Sequence, residues 1–124
     1  MVIKLHGIPQ STCTQRVLTV LKEKNVPYEI VPVDFSKAEH KSEEYLKKQP
    51  FGQVPYIEDN GFVLFESRAI ARYIAAKYRD QGTPLLPDPA DLKATALFEQ
   101  AASIETSNFD PSASGIAIEK VFKP

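Results

Sequence analysis

The sequence predicts an α/β fold built on a four-stranded mixed β-sheet with helices on both of its faces. Two observations carry this prediction. The first thirty-five residues have strand, helix and strand patterns in turn, and residues 54–79 have the pattern of a β-hairpin followed by a helix. The 124 residues are 43% hydrophobic and 25% charged, which is close to the globular average, so a packed core is expected. This length predicts one domain, or one domain with an appendage.

The first three elements form a predicted β-α-β unit. Val2 to His6 alternates apolar and polar residues, and Gly7-Ile8-Pro9 ends that strand with a turn. Residues 12–24 place apolar side chains at helical spacing, and Tyr28 to Phe35 is rich in β-forming residues. Because Pro32 cannot donate to a β-ladder, the second strand is expected at an edge of the sheet. Strands joined through a helix should be parallel, with a right-handed crossover.

The other half of the sheet is predicted to be a hairpin followed by a helix. Residues 36–50 are polar, with a short helix at 42–48. The stretch "VPYIEDNGFVLFE" has two β runs around Asn60-Gly61, a pair that accepts the positive φ angles of a tight hairpin. Residues 67–79 have apolar side chains on one helical side. The order β-α-β, loop, β-β-α is that of a thioredoxin-like fold, which we expect over residues 1–80.

The rest of the chain predicts a linker and a helical segment. Residues 81–91 hold one glycine and three prolines and are expected to be the linker. A helix should run from about Ala90 to Asn108, and Pro111 should kink or end it. Its apolar face needs a covering surface, and consists of Ala94, Leu97, Phe98, Ala101, Ala102 and Ile104.

Composition argues against several classes of protein. The net charge is −1 and no basic stripe is visible, so a nucleic-acid partner is not expected. Cys13 is the only cysteine, which excludes an internal disulfide and a cysteine-rich metal site. His6 and His40 lack partners at metal-ligand spacing, so no metal is expected. No signal peptide and no run near the roughly 20 apolar residues of a membrane span are visible, so we expect a cytoplasmic protein without a membrane partner.

Four sequence blocks, in order, resemble those of phi-class glutathione S-transferases. "STCTQRV" follows the first strand, "AEHK" lies in the polar loop, "PFGQVP" precedes the hairpin, and "LFESRAI" opens the next helix. The resemblance covers the whole chain. It implies a glutathione-binding domain at 1–80 and the incomplete beginning of an all-helical domain at 92–124.

The resemblance also implies site residues. Ser11 would be catalytic, since its hydroxyl would donate to the glutathione sulfur and hold it as a thiolate. Phe51 and Arg68 would face the partner subunit of a homodimer. The residues implied to bind glutathione are Ser11, His40, Lys41, Gln53, Val54, Pro55, Glu66 and Ser67.

Local patterns around the two helix starts are consistent with these roles. Thr12 and Gln15 have capping-box spacing, so Thr12 is expected at the N-cap with the Ser11 hydroxyl free just outside the helix. A helix N-terminus favours an anion by up to about 2 kcal/mol. Ser67 is expected to cap the later helix, where its backbone N–H would receive the γ-glutamyl carboxylate while Glu66 accepts from the ammonium group.

The remaining implied residues would hold the rest of the tripeptide. The resemblance implies a cis Val54–Pro55 bond, and the Val54 backbone would pair with the cysteinyl part of glutathione. Gln53, His40 and Lys41 would meet the glycyl end. Considered alone, Ser11 and Ser67 are also typical helix caps, Pro55 is a typical first residue of a strand, and "EHK" is a typical solvated run.

The resemblance implies an enzyme that conjugates glutathione to a small hydrophobic electrophile, or reduces organic hydroperoxides with it. One alternative is a thiol transferase or dehydroascorbate reductase that uses Cys13, because thiols near helix N-termini can act in disulfide exchange. No C-x-x-C motif accompanies Cys13, which favours a structural thiol. Another alternative is a non-catalytic module that binds glutathione or another ligand.

Overall fold

A computed structural model describes residues 2–123, which form two compact units that divide between Leu85 and Leu86. The first unit contains a four-stranded sheet with the order β2-β1-β3-β4. β1 pairs with β2 in parallel and with β3 antiparallel, and β4 pairs antiparallel with β3. The predicted parallel pair and the edge position of β2 are therefore confirmed. The strands are Ile3–Gly7 (β1), Tyr28–Pro32 (β2), Tyr56–Asp59 (β3) and Phe62–Phe65 (β4).

Helices cover both faces of this sheet, which confirms the predicted fold class. The helices are Thr12–Glu23 (α1), Glu43–Leu46 (α2) and Ser67–Lys77 (α3), with two 3₁₀ turns at Phe35–Lys37 and Glu39–Lys41. Tyr56 and Ile57 are neighbours in β3, so their side chains point to opposite faces. Ile57 joins the core under α1 and α3, while Tyr56 packs with Tyr45 of α2. The larger core consists of Ile3, Leu5, Val17, Leu21, Val26, Ile57, Ile70 and Ile74.

The hairpin between β3 and β4 has the predicted two-residue turn. Asn60 has φ 51° and Gly61 has φ 87°, so both residues are in the left-handed region. Two such residues in succession are typical of the tight hairpin turn that the Asn-Gly pair favours.

Both predicted helix caps are wrong by one residue. Ser11, not Thr12, is the N-cap of α1, and its Oγ accepts a hydrogen bond from the Thr14 N–H at 3.3 Å. The Gln15 side chain does not complete a capping box, because its Nε2 donates to the Pro9 carbonyl at 2.8 Å. At α3 the N-cap position belongs to Glu66, which makes no side-chain cap bond, and Ser67 is the first helical residue.

The second unit is helical over almost its whole length. It contains α4 (Leu92–Ile104) and α5 (Asp110–Ala117), with π-helical turns at Glu105–Phe109 and Ile118–Phe122. Asp91 caps α4, since its Oδ1 accepts from the Ala94 N–H at 3.0 Å.

The predicted end of the last helix near residue 108 is wrong. Pro111 lies in the first turn of α5, directly after a π-helical turn. A π-helical turn shifts the hydrogen-bond register by one residue, which allows the helix to continue past a proline that has no N–H to donate. The two units divide after Leu85, within the predicted linker 81–91, whose own bounds remain a prediction. In the described part of the chain no helix combines the length and the apolar character that a bilayer crossing needs.

Candidate functional site

A pocket of about 190 Å³ lies in the first unit, where the start of α1, the segment before β3 and the start of α3 meet. Five of the residues predicted to bind glutathione line it, namely those at 53–55 and 66–67. Residues separated in sequence by more than ten positions are thus brought to one cavity. The lining residues are Cys13, Gln49, Gln53, Val54, Pro55, Glu66, Ser67 and Arg68.

The wall formed by residues 53–55 is held by a hydrogen bond from α2. Tyr45 donates its hydroxyl hydrogen to the Gln53 carbonyl at 2.5 Å. Burial is the main cause that raises the pKa of Tyr45, and the nearby Tyr56 and Glu39 raise it further. This hydroxyl therefore remains protonated and able to donate. The Val54–Pro55 peptide is cis, as the resemblance implies.

Gly7 allows this wall to approach the end of β1. A Cβ at Gly7 would lie 2.7 Å from Thr14 Oγ1 and 3.4 Å from Pro55 Cβ. No side chain larger than hydrogen fits that space without displacing a neighbour. The close approach places the end of β1, the first turn of α1 and Pro55 in direct contact.

The opposite wall is the junction between β4 and α3. Glu66 is exposed and has φ 77° and ψ 106°, a conformation that L-residues other than glycine rarely adopt. Ser67 follows it and is buried, with 6% of its surface exposed. The first N–H groups of a helix have no partners within the helix, so the start of α3 presents hydrogen-bond donors and partial positive charge at this wall.

Arg16 is a neighbour of the site that the sequence did not identify. Its Nη1 donates to Ser67 Oγ at 2.6 Å and lies 3.8 Å from Cys13 Sγ. The spacing of three residues between Cys13 and Arg16 places both on one face of α1, which is a signal visible in the sequence. The contact with Ser67 joins residues 51 positions apart, and no local pattern predicts it.

Within residues 2–123, the lining of this pocket does not include Ser11, His40 or Lys41. Ser11 is half-buried at the start of α1, and its cap bond uses the oxygen as an acceptor. The hydroxyl hydrogen therefore remains available for donation to another group.

His40 and Lys41 lie in the second 3₁₀ turn, next to the segment that leads to Gln53. The His40 ring stacks on Phe35 with a centroid distance of 3.9 Å. A Cβ at Gly52 would lie 2.8 Å from Lys41 Nζ, so this ammonium group lies against the backbone directly before Gln53. The loop therefore carries positive charge to one end of the pocket wall.

The two residues predicted at a subunit interface have different surroundings. Phe51 is 63% exposed and contacts Phe65 edge-on at a centroid distance of 6.0 Å. Arg68 is half-buried and lines the pocket, a position that the sequence did not predict. Among the described residues, no three His, Cys, Asp or Glu side chains are grouped as metal ligands.

Comparisons with known proteins agree with this geometry. The family model described as "Glutathione S-transferase, N-terminal domain" matches residues 1–76. Glutathione S-transferase PM239X14 of Arabidopsis thaliana is 55% identical over 122 residues, which are 97% of this chain and 56% of the relative. Glutathione S-transferase hmp2 of Hypomyces subiculosus is 54% identical over 123 residues, which are 99% of this chain and 57% of the relative.

A solved structure has the same fold over nearly the whole chain. The crystal structure of glutathione transferase F7 from Populus trichocarpa superposes with a TM-score of 0.93 at 43% identity, covering 99% of this chain and 57% of that one. The chain thus spans a little over half the length of the relatives that it matches. With the family model matched over most of the first unit and an F-type structure matched throughout, the chain belongs to the glutathione S-transferase family, in its phi class.

Proposed function

We propose that the pocket binds glutathione, and that the chain carries the glutathione-binding half of an enzyme that conjugates glutathione to small hydrophobic electrophiles. The observation that supports this proposal best is the convergence of residues 53–55 and 66–67 on one pocket at the start of α3. Reduction of organic hydroperoxides would use the same bound thiolate. We place the activity in the cytoplasm, a reducing compartment in which a lone cysteine such as Cys13 stays free.

Each part of the tripeptide has a chemically matched group in this arrangement. The γ-glutamyl ammonium group pairs with the Glu66 carboxylate, and the α-carboxylate accepts from Ser67 and from the first N–H groups of α3. The cysteinyl backbone pairs with the Val54 backbone beside Pro55 as an added strand does. Gln53, together with His40 and Lys41 from the neighbouring loop, binds the glycyl carboxylate.

The chemistry assigned to Ser11 is stabilisation of the glutathione thiolate. The Ser11 oxygen accepts the cap bond from Thr14, while its hydrogen donates to the sulfur. A hydrogen bond to a charged acceptor contributes about 1.5–3 kcal/mol, and the start of α1 adds up to about 2 kcal/mol. Lowering the thiol pKa by two units requires about 2.7 kcal/mol, so these two effects suffice. The thiolate then attacks the electrophilic carbon, forms the C–S bond, and the leaving group departs with the bonding electrons.

The test measures the thiol pKa of bound glutathione from the ultraviolet absorbance of its thiolate across a pH series. Ser11→Gly removes the hydroxyl but keeps a residue that is tolerated at N-caps, so the helix should lose only a few tenths of a kcal/mol. We expect the thiol pKa to rise by about one unit or more, and conjugation of a chlorodinitrobenzene-type electrophile to fall about 10²-fold. Glutathione affinity should change little.

Thr12→Ala is the matched control, because it removes an exposed hydroxyl from the adjacent position. It should leave the thiol pKa and the conjugation rate unchanged. An unaltered thiol pKa in Ser11→Gly would exclude Ser11 as the thiolate stabiliser.

Cys13 supports a second candidate function, since its side chain lines the pocket within 3.8 Å of Arg16 Nη1. As a thiol transferase, the Cys13 thiolate would attack the sulfur of a glutathionylated substrate, form a mixed disulfide with glutathione and release the substrate thiolate. A second glutathione thiolate would then release glutathione disulfide and regenerate Cys13. Cys13→Ser should abolish this disulfide reduction, whereas Ser11→Gly should not. Full reduction activity in Cys13→Ser removes the candidate.

A non-catalytic glutathione-binding module is the remaining alternative. It would share the binding groups of the pocket but show neither conjugation nor disulfide reduction. Retention on immobilised glutathione with no turnover of either kind of substrate would favour it. Turnover that is sensitive to Ser11→Gly or Cys13→Ser would exclude it.

We also include a homodimer in the proposed function, with Phe51 and Arg68 at its interface. The support is the exposure of Phe51, because a large aromatic side chain that is 63% exposed gains hydrophobic free energy when a second subunit covers it. The glutathione pockets would then lie near the interface, since Arg68 belongs to the lining of the pocket.

A further inference from the structure

The hydrogen bond between Arg16 and Ser67 has a fixed direction. A serine hydroxyl can either donate or accept, but a guanidinium group can only donate. Arg16 Nη1 lies 2.6 Å from Ser67 Oγ, so the serine oxygen is the acceptor in this pair. The hydrogen of the Ser67 hydroxyl consequently remains available for another acceptor.

Ser67 belongs to the lining of the pocket, so a ligand there can be the acceptor for this hydrogen. Ser67 is 6% exposed and lines the pocket beside Glu66. A hydroxyl that already accepts from a cation is a stronger donor, because the cation withdraws electron density from its oxygen. The first N–H groups of α3 present further donors from the same helix turn.

The two neighbouring residues of this wall, Glu66 and Ser67, differ in the charge of the group that each position favours. The guanidinium of Arg16 adds a full positive charge behind Ser67, at the end of α3 that already carries partial positive charge. Glu66 is exposed and offers a carboxylate one residue earlier. The wall thus has one position that favours an anion and an adjacent position that favours a cation.

We propose that Arg16 is a positioning residue that makes Ser67 a hydrogen-bond donor, and that it thereby gives the pocket its selectivity for the α-carboxylate of a γ-glutamyl group. The inference rests on glutathione as the ligand of the proposed function, and it adds a residue that acts through Ser67 without touching the tripeptide. Arg16 also ties α1, which begins after Ser11, to the first turn of α3. The same side chain thus connects the helix at the thiolate-stabilising end of the site to the helix at its carboxylate-binding end.

The test compares two ligands by isothermal titration calorimetry on the full 124-residue chain. One is glutathione, and the other is the same tripeptide with a γ-aminobutyryl group, which lacks only the α-carboxylate. Arg16→Gln should weaken glutathione binding about tenfold or more and should change binding of the analogue by no more than about twofold. Arg16→Lys, which keeps a cationic donor but lacks the planar guanidinium fork, should recover part of the lost affinity.

A double-mutant cycle separates positioning from a general effect of charge. Ser67→Ala should produce the same ligand-selective loss, and adding Arg16→Gln to it should cause little further loss, because both substitutions break one interaction. Lys22→Gln is the charge control, since Lys22 lies in the last turn of the same helix, away from the pocket. It should leave the affinity for both ligands unchanged.

Each other result has a distinct meaning. Equal weakening for glutathione and for the analogue, or additive losses in the cycle, would overturn the role of Arg16 while leaving the glutathione site in place. Unchanged binding in Arg16→Gln would overturn it as well. If Arg16→Gln does not fold, the two-ligand comparison in Ser67→Ala decides, because an equal loss for both ligands contradicts the proposal. A wild-type chain that binds neither ligand removes the proposed function together with the inference.

Discussion

Glu66 combines an unfavourable backbone conformation with a carboxylate at the edge of the pocket. Its φ of 77° and ψ of 106° lie outside the regions that L-residues prefer, and such a conformation costs about 1–3 kcal/mol. The residue turns the chain from β4 into α3, so the strain occurs at the wall of the candidate site. A glycine at this position would adopt the same angles freely, but it would carry no carboxylate.

The Glu66→Gly substitution should therefore separate stability from binding. We expect the free energy of unfolding to rise by about 1 kcal/mol, which is the strain relieved less the extra chain entropy of glycine. Glutathione affinity should fall about tenfold, since the ammonium group loses its charged partner. Urea denaturation and calorimetry measure the two effects.

Glu66→Gln is the control for this pair of effects. It keeps the strained backbone, so stability should stay within about 0.5 kcal/mol of the wild type, while binding weakens as in the glycine variant. A less stable Glu66→Gly protein would mean that the conformation is not strained.

The sequence located the helix starts but not the hydrogen bonds that form them. Capping patterns consider only positions within one turn, so they placed the caps at Thr12 and Ser67. The Ser67 hydroxyl is instead engaged by Arg16, 51 residues earlier in the chain, and Gln15 reaches the Pro9 carbonyl rather than the helix start. The contact between Arg16 and Ser67 depends on how α1 and α3 pack, and a single local window does not contain it.

At the level of elements, the joint between β1, α1 and the segment before β3 depends on Gly7. A Cβ at Gly7 would lie 2.7 Å from Thr14 Oγ1 and 3.0 Å from Thr14 Cγ2, and Thr14 is fully buried. Because Thr14 has no room to move away, Gly7→Ala should lower the free energy of unfolding by about 1–3 kcal/mol.

Gly115→Ala is the matched control for this prediction. Gly115 lies in α5, and a Cβ there would meet nothing within 4 Å. Alanine should therefore stabilise the helix by about 0.5–1 kcal/mol. Chemical denaturation of both variants measures the difference, and a Gly7→Ala protein as stable as the wild type would show that the joint can open without cost.

The end of β3 is tied to α3 by a buried carboxylate. Asp59 Oδ2 accepts from the Tyr73 hydroxyl and from Lys77 Nζ, each at 2.5 Å. Burial opposes the charge, but the hydrogen bonds from Lys77 and Tyr73 hold the pKa of Asp59 below its ordinary value of 3.8. The bond to Asp59 in turn raises the pKa of Lys77 above its ordinary value of 10.5.

These shifts predict how stability depends on pH. Asp59 has a lower pKa in the folded chain than in the unfolded chain, so near pH 3.8 the unfolded chain binds a proton at this residue more readily. The contribution of Asp59 to the free energy of unfolding is therefore complete above pH 3.8 and is lost as the pH falls through the lowered pKa. Asp59→Asn should lower stability at neutral pH and flatten its decline below pH 3.8. Urea denaturation across a pH series measures both effects.

The control for the pH prediction is Asp80→Asn, because Asp80 is exposed after α3. This variant should keep the decline of the wild type in acid. An Asp59→Asn protein that keeps the full decline would mean that other groups cause it.

The sheet was predictable from the sequence because its signals are local. The period-2 runs, the Asn-Gly pair and the proline in β2 each specify a strand, a turn or an edge without reference to distant residues. The continuation of the last helix past Pro111 was not predictable, because it depends on a π-helical turn at Glu105–Phe109 that no residue in that stretch signals. Of the site, the residue types and their order could be predicted, but the contact of Arg16 with Ser67 and the place of Arg68 in the pocket lining could not.

At the scale of the whole molecule, the second unit leaves large apolar side chains uncovered. Such residues occur along both of its helices and its π-helical turns, and an apolar surface of this extent is typical of a surface that binds another protein. The exposed residues are Leu92, Leu97, Ile104, Phe109, Ile116, Ile118, Val121 and Phe122.

We expect the 124-residue chain to self-associate in a concentration-dependent manner, because covering these side chains recovers about 25 cal/mol per Å² of apolar surface. A variant that carries Leu97→Lys, Ile116→Lys and Val121→Lys should shift sedimentation velocity profiles to smaller species. A control with Gln100→Lys, Ser107→Lys and Ser112→Lys adds the same charge at exposed polar positions and should associate as the wild type does.

Phe51→Ser distinguishes this association from the proposed homodimer of the first unit. The exposed apolar surface of the second unit should drive open-ended association. An interface around Phe51 should give only a closed dimer, because a two-fold interface uses the same patch on both subunits. We therefore expect the Leu97, Ile116 and Val121 lysine variant to remain a dimer, and to become a monomer when Phe51→Ser is added. A lysine variant that is already monomeric would exclude Phe51 as a dimer contact, and a wild-type chain that sediments as a monomer at all concentrations would exclude both surfaces.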